Sequence, residues 1–571
     1  MKSRKFFSAV LLTGLLSLLL LVFHLPTAAQ TPTWQSAQAV AAATGTGSAV
    51  TATATDAAGN VYLAGIFATT VTLGTTTLAS LGSTDVFVAK FNPISNQFVW
   101  AQRAGGTGLD QPNGLVVSGN SVYVGGIFYS ATASFGALSL PLAGTSSGFV
   151  AKLTDAGTTS SFTWVQQTSA TSRSLVTALA VSGSNVYVTG SSSGSSAIFG
   201  PITITSPGGS DLFVAKLTDA GNTGNFVWAQ QAGGAGGAND DQGNALAVSG
   251  SNVYVAGSFS GISASFGPLT LTSAGQYDVF VTKLTDAGST GSFVWAQRAG
   301  GAVMDEARAL AVSGSNVYVA GVFASTMATF GATTLTNAGS NDIFVAKLTD
   351  AGSTGNFGWT KQVGGTDFEY TQSIAVNGSS LYVAGFYLSP TVSFGTTTLT
   401  NQGAAGTTDA FVTKLTDLGN TGNFGWAQQS SGVGGSGEAA RAIALSGTTV
   451  YVAGAFDGAT ANFGSITLPN PTQNTSIGFL ASLSDATITA TAASQTSALS
   501  VLYPNPAHQT ATLRLPVGST PTPLTLLDAQ GRCVRHYSAP AATETALDLR
   551  GLPAGLYLLR GAGLLQRLLV E

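Results

Sequence analysis

Ala245-Leu246-Ala247-Val248-Ser249-Gly250-Ser251-Asn252-Val253-Tyr254-Val255-Ala256-Gly257 is the stretch that decides the fold. Two short runs rich in Val, Leu, Ala and Tyr flank Ser-Gly-Ser-Asn, which is the composition of two strands joined by a tight turn. A third run follows at Asp278-Val279-Phe280-Val281, and a fourth at Phe293-Val294-Trp295-Ala296-Gln297, before a Gly300-Gly301 break. The pattern then starts again.

Three landmarks count the copies. Tyr62, Tyr123, Tyr187, Tyr254, Tyr318, Tyr382 and Tyr451 mark the second run, and Phe87, Phe149, Phe213, Phe280, Phe344, Phe411 and Phe479 the third. Trp34, Trp100, Trp164, Trp228, Trp295, Trp359 and Trp426 recur at gaps of 66, 64, 64, 67, 64 and 67 residues. A fixed period of this size means one supersecondary unit built repeatedly. No segment sustains a 3.6-residue apolar period, so helices are not the building block. Four short antiparallel strands per repeat describe a propeller blade, and the Phe-Gly-x-x-x-Leu connection adds a short extra pair. A β-solenoid is the competing architecture, but its coils are shorter, below about 30 residues.

The last unit has its first three runs but no Trp run after them, while the Trp34 segment precedes any complete unit. The expectation is a seven-bladed β-propeller over residues 30–485 in which the N-terminal strand completes the seventh blade, with Trp34 as its tryptophan. Closure of this kind removes two sheet edges that would otherwise template aggregation. The repeat text resembles the bacterial β-propeller repeat family of large exported proteins, over roughly residues 34–485. That resemblance implies a fold more than an activity, because one scaffold hosts many functions.

Only 8% of the 571 residues are charged and Gly supplies 72 of them, which suits short strands and turns better than long helices. A net charge of −4 without a basic block argues against a nucleic-acid partner. Residues 1–29 read as a signal peptide: Lys2, Arg4 and Lys5, then an apolar run from Ala9 to Val22, then small residues ending at a cleavage point after Ala29. The general secretion machinery is therefore the first expected partner, and no later run is long and apolar enough for a transmembrane helix in the mature chain. Cys533 is the only cysteine, so no disulfide forms within the chain.

After Asp485 an Ala/Thr/Ser stretch, residues 486–500, reads as a linker. Residues 501–571 then alternate as short strands, with Gly555 opening a last hairpin, and predict a small antiparallel β-sandwich. Tyr503-Pro504-Asn505-Pro506, Leu526-Leu527-Asp528-Ala529-Gln530-Gly531, and Gly555-Leu556-Tyr557 with the terminal Gln566–Glu571 run are its landmarks. On these the tail resembles the type A C-terminal sorting domain of the type IX secretion system of Bacteroidetes. The resemblance implies an outer-membrane translocon and its sorting protease as partners, removal of the tail, and release or attachment at the cell surface.

The three histidines are His24, His508 and His536, so the repeat array has neither His nor Cys. Ser-His-Asp and Cys-His mechanisms and the usual zinc sites are absent there, and no phosphate loop is present. Carboxylates remain. Asp110, Asp241, Asp305, Glu369 and Glu438 recur eight residues before the hairpin turn, with Ala49 and Ser174 at the matching positions of the other two units. They are expected in the loops entering each first strand, either as a cation- or polyol-binding rim, with calcium as the candidate ion, or as acceptors of their own loop N–H groups. Asp240, Glu306, Arg308, Asp367 and Tyr370 break the repeat symmetry and are the better candidates for specific contact. Asp155, Asp219, Asp286, Asp350 and Asp417 are expected as structural turn residues, and Lys90, Lys152, Lys216 and Lys347 as solvated strand-end charges.

The function expected from sequence is an exported, non-catalytic binding or structural module with a glycan or protein ligand and no cofactor. The alternative is a carboxylate-dependent glycan hydrolase or lyase, which needs two acids about 5–9.5 Å apart across one pocket.

Overall fold

The computed structural model describes residues 31–40, 47–205, 208–234, 236–433, 437–471, 475–485, 501–514, 523–528, 532–538, 544–561 and 564–571. The expected signal peptide with Ala29, the 486–500 linker and Ala529-Gln530-Gly531 lie outside the described residues. All regular structure described is β, and the chain divides into two compact units, Met1–Ala490 and Thr491–Glu571.

In the first unit each repeat forms a core of four antiparallel strands paired in the order first-second-third-fourth, and in four repeats the sheet also takes in a short hairpin beyond the fourth strand. In the repeat around Tyr254 the strands are Gln242–Ser249, Asn252–Ser260, Tyr277–Asp286 and Gly291–Gly300. The turn between the first two strands places a glycine at φ 57–61° in six repeats, at Gly119, Gly183, Gly250, Gly314, Gly378 and Gly447. This left-handed geometry is what a two-residue hairpin requires and what an L side chain resists. The Phe-Gly-x-x-x-Leu connection forms the expected short hairpin. In four cases it pairs with the fourth strand of the preceding repeat, as Ser134 does with Gly105, and so covers that sheet's outer edge.

The seventh sheet draws its fourth strand from the start of the chain. Trp34–Val40 pairs antiparallel with Ile477–Ser484, with Ala37 opposite Ala481. Trp34 lies opposite Leu483, the position that Phe162 takes opposite Leu153 and Phe293 opposite Leu284. The residue in the register of the other tryptophans is Ser36, opposite Ser482, as Trp295 is opposite Lys283. Trp34 therefore does not continue the tryptophan series; it fills the phenylalanine slot two residues earlier.

The second unit has a three-stranded sheet, containing Val501–Tyr503, Thr510–Arg514 and Glu544–Asp548, and a four-stranded sheet. The latter holds Leu524–Leu527, Cys533–Tyr537 and the closing hairpin Gly555–Gly561/Leu564–Val570. Leu502, Leu513 and Leu547 from one sheet and Leu526, Leu559 and Leu568 from the other share one apolar core.

Candidate functional site

Each repeat is fastened to the next by one buried carboxylate. Asp350 accepts Lys283 Nζ at 2.7 Å, Tyr254 Oη at 2.6 Å and Trp295 Nε1 at 3.1 Å, all from the preceding repeat, and Gly352 N–H at 2.9 Å from its own turn. Asp155, Asp219, Asp286, Asp417 and Asp485 receive the same Lys, Tyr and Trp donors. The expectation of solvated lysines is corrected here, and the structural turn aspartates bond beyond their own turns as well as within them. Lys90, Lys152, Lys216, Lys283, Lys347 and Lys414 are 4–8% exposed, and their partners lie one repeat away in sequence. Burial pushes the Asp350 carboxyl up, but the Lys283, Tyr254, Trp295 and Gly352 donors outweigh it and hold it below the usual range.

The junction between the seventh and first repeats lacks this clasp. Ser36 stands for the tryptophan, Ser482 for the lysine and Pro93 for the aspartate; only Tyr451 persists. Ser36 Oγ and Ser482 Oγ hydrogen-bond at 2.7 Å instead.

The recurring loop acids are also buried. Asp110 sits opposite Phe128 at the start of its strand and accepts Gly106 N–H and Ser130 Oγ, both at 2.6 Å, with Tyr129 and Ser130 N–H on its other oxygen. Asp305 is held by Gly301 N–H and Ser325, Asp241 by Gly234 and Ser260 N–H, and Glu369 by Gly365 N–H. Asp110, Asp241, Asp305, Glu369 and Glu438 are at most 2% exposed, so they present no open rim. Both oxygens of Asp110, Asp241 and Asp305 are engaged by their own loops, whereas Glu369 Oε1 has no hydrogen-bond partner among the described residues. In the first repeat the register puts Ser48, not Ala49, at this position, because that repeat's turn is longer.

Each of these acids faces a second one at the start of the preceding repeat's third strand. The pairs are Asp85 with Asp110, Asp211 with Asp241, Asp278 with Asp305, Asp342 with Glu369, and Asp409 with Glu438. A Cβ on Gly105 would come within 2.6 Å of Asp85 Oδ1 and 2.7 Å of Asp110 Oδ2, which explains the glycine after the Trp strand. Burial, reinforced by the facing carboxylate, raises Asp241 to about 6 and Glu369 to about 7, and moves Glu438 up as well. At the second-to-third junction both acids are replaced together, by Ser147 and Ser174. Among the described residues no group of three or more His, Cys, Asp or Glu is arranged to hold a metal ion.

The seven first strands together line one cavity of about 780 Å³. Each first strand carries a β-bulge at the same point, skipping one residue in its ladder with the second strand. The skipped residues are Thr51, Asn113, Thr177, Asn244, Arg308, Gln372 and Arg441, and all seven line the cavity. Bulges re-aim side chains in this way near binding sites. Four of them link neighbouring repeats: Thr51 Oγ1 donates to Pro112 O, Asn113 Nδ2 to Val176 O, Thr177 Oγ1 to Gly243 O, and Asn244 Nδ2 to Ala307 O. Arg308 departs from that chain of bonds.

The symmetry-breaking candidates divide. Glu306 accepts Asn244 Nδ2 at 2.9 Å and Arg308 Nη2 at 2.8 Å, and the Arg308 guanidinium lies 5.5 Å over the Tyr370 ring. Tyr370 in turn stacks between Phe386 and Phe368, with interplanar angles of 17° and 16°. Asp240 lines a smaller adjoining cleft of about 210 Å³ with Arg173, Tyr277 and Glu306. Asp367 is not among the residues lining either cavity; its loop is tied by Asp367 N–H to Ser389 Oγ. Sequence reading singled out one bulge residue, Arg308, and missed the other six. Their available signal was a polar residue just before each Ala-Leu-Ala-Val run, such as Asn244, in a place where strand alternation gives no reason for one.

In the second unit Tyr503, Pro504, Asn505 and Pro506 are exposed, and Asn505 is tied to the last strand. Asn505 Nδ2 donates to Arg567 O at 2.7 Å and its Oδ1 accepts Leu569 N–H at 2.8 Å. Leu556 is exposed, and the buried Tyr557 donates its hydroxyl to Pro553 O at 2.8 Å.

Residues 501–563 match the family described as the secretion system C-terminal sorting domain. The tail is thus a type IX sorting domain, and the protein is exported by that system to the outer surface or the medium. Among the described residues no helix is long and apolar enough to cross a membrane. No curated protein sequence matches the chain. Similar solved structures include a protein of unknown function from Dyadobacter fermentans, at 10% identity and TM-score 0.36, over 80% of this chain and 100% of that one. The phage phi92 endosialidase matches at 10% identity and TM-score 0.35, over 94% and 87%. A europium-containing methanol dehydrogenase matches at 11% identity and TM-score 0.32, over 79% and 93%. Likeness at this level says nothing about what the chain binds or does.

Proposed function

We propose that residues 34–485 form a closed seven-bladed β-propeller, exported by the sorting domain, that acts outside the cell as a non-catalytic ligand-binding module. The axial channel is its site. The observation that carries this reading is the shared cavity: all seven first strands contribute to it, and each aims one bulged residue inward. Its volume falls within the range of about 300–1,000 Å³ that accommodates small ligands. Support for binding over catalysis comes from the lining, which includes three arginines and no Asp or Glu, so a pair of carboxylates for glycan cleavage is missing from it. The test is a glycan and small-molecule binding screen of the full chain beside Ser373→Trp, which places an indole in the channel. Hits lost in S373W support the reading; hits retained by a folded S373W protein contradict it.

A further inference from the structure

The channel's charge is opposite to the chain's. The protein carries a net charge of −4, yet the channel lining holds Arg173, Arg308 and Arg441 with no carboxylate among its described residues. Resting on the channel as the binding site, we propose that its ligand is a small acidic sugar, a uronate-type carboxylate with hydroxyls, seated against Arg308 and Arg441.

Four observations converge on this. Arg441 is a bulge residue aimed into the channel, and it makes no ion pair with any described residue. Its side chain is exposed to the channel, where the surrounding walls still lower its pKa from the usual arginine value. An accessible guanidinium that lacks a counter-charge within a confined channel is a docking point for an anion, which brings charge-assisted hydrogen bonds. Arg308 is preorganised by Glu306 and by the Tyr370 face, yet its Nε remains a buried donor with no hydrogen-bond acceptor among the described residues. A planar carboxylate is the acceptor that fits a guanidinium fork.

The rest of the lining favours hydroxyls over an apolar body. Gln111, Gln242 and Gln372 bring carboxamides that both donate and accept. Tyr129, 41% exposed, adds an aromatic surface to the lining. Where the neutral bulge residues of the first four repeats are tied to neighbouring carbonyls, the arginines of the fifth and seventh repeats are not, so the ring's repeat symmetry is broken by cationic groups.

Titration calorimetry of the full chain with digalacturonate, cellobiose and acetate at matched ionic strength tests this. The expected result is binding of digalacturonate over both other probes. Arg441→Gln and Arg308→Gln should each weaken it at least about tenfold, with Arg441→Lys intermediate because a point charge replaces a fork. Equal binding of cellobiose, no digalacturonate binding, or no change in a folded R441Q protein would overturn the acidic-sugar assignment. Cellobiose binding that S373W abolishes but R441Q leaves intact would overturn it while preserving the channel as a site. Digalacturonate binding untouched by S373W would overturn the channel itself.

Discussion

Trp34 meets Phe463 edge to face, with ring centroids 5.2 Å apart and planes at 80°. The same contact is made elsewhere by Phe162 with Phe135, Phe226 with Phe199, Phe293 with Phe266 and Phe424 with Phe394. An indole therefore occupies a site that elsewhere takes a benzyl ring, and the site is formed where the two ends of the repeat array meet. Trp34→Phe should cost less than about 1.5 kcal/mol, whereas Trp34→Ala should cost about 3–5 kcal/mol. Urea melts of the two variants give the comparison; equal losses would show that Trp34 is not packed in that slot.

The clasps predict an asymmetry. Asp350→Ala leaves the buried Lys283 without its counter-charge and should destabilise by about 3–5 kcal/mol. Lys283→Met leaves Asp350 with donors from Tyr254, Trp295 and Gly352 and should cost markedly less. Thermal melts under identical conditions decide the order, and a larger loss for K283M would contradict the assignment of Asp350 as the hub.

The facing acids give stability a pH dependence of definite sign. Asp241 and Glu369 have folded-state pKa values raised to about 6 and about 7, so the folded chain holds protons that the unfolded chain releases. Their contribution is complete below the unfolded carboxyl pKa of about 4 and is lost as pH rises through 6 to 7. Values raised this far correspond to roughly 3 kcal/mol per group. The clasp aspartates, with lowered values, act oppositely and withdraw stability as pH falls below about 4. Melting temperature should therefore decline between pH 5 and 8, and Glu369→Gln should flatten that decline. A melting temperature that rises over this interval would exclude the protonated pairs.

Export should depend on the tail's own geometry. A reporter carrying residues 495–571 is expected outside a competent host cell, and Asn505→Ala, which frees Arg567 O and Leu569 N–H, should reduce that fraction. Fractionation of the reporter measures it. Full periplasmic retention of the unaltered fusion would contradict the address.

The repeat, the strand count and the order of strands were legible in the sequence because each rests on local information: short apolar runs, turn residues and a period. The burial of Lys283 was not, since its partner Asp350 is a repeat away and a single lysine at a strand end looks solvated. The role of Trp34 was misread by two residues, because residue identity stood in for register; Ser36 falls 64 residues before Trp100, matching the commonest spacing better than Trp34 does. Apart from Arg308, the bulge residues that line the cavity were hidden. One skipped residue per strand turns a position that alternation assigns to a sheet face into one that lines the shared cavity.

The first strand of the chain completes the last sheet. Ala37→Cys with Ala481→Cys, in a Cys533→Ser background, tests it directly, because these two residues are directly opposed across that pairing. Under mild oxidation both thiols should disappear into an intramolecular disulfide, since opposed strand residues meet the required Cα separation of about 4.4–6.8 Å. Two thiols that stay free and reactive in the folded, oxidised protein would show that the ring is not closed in this way.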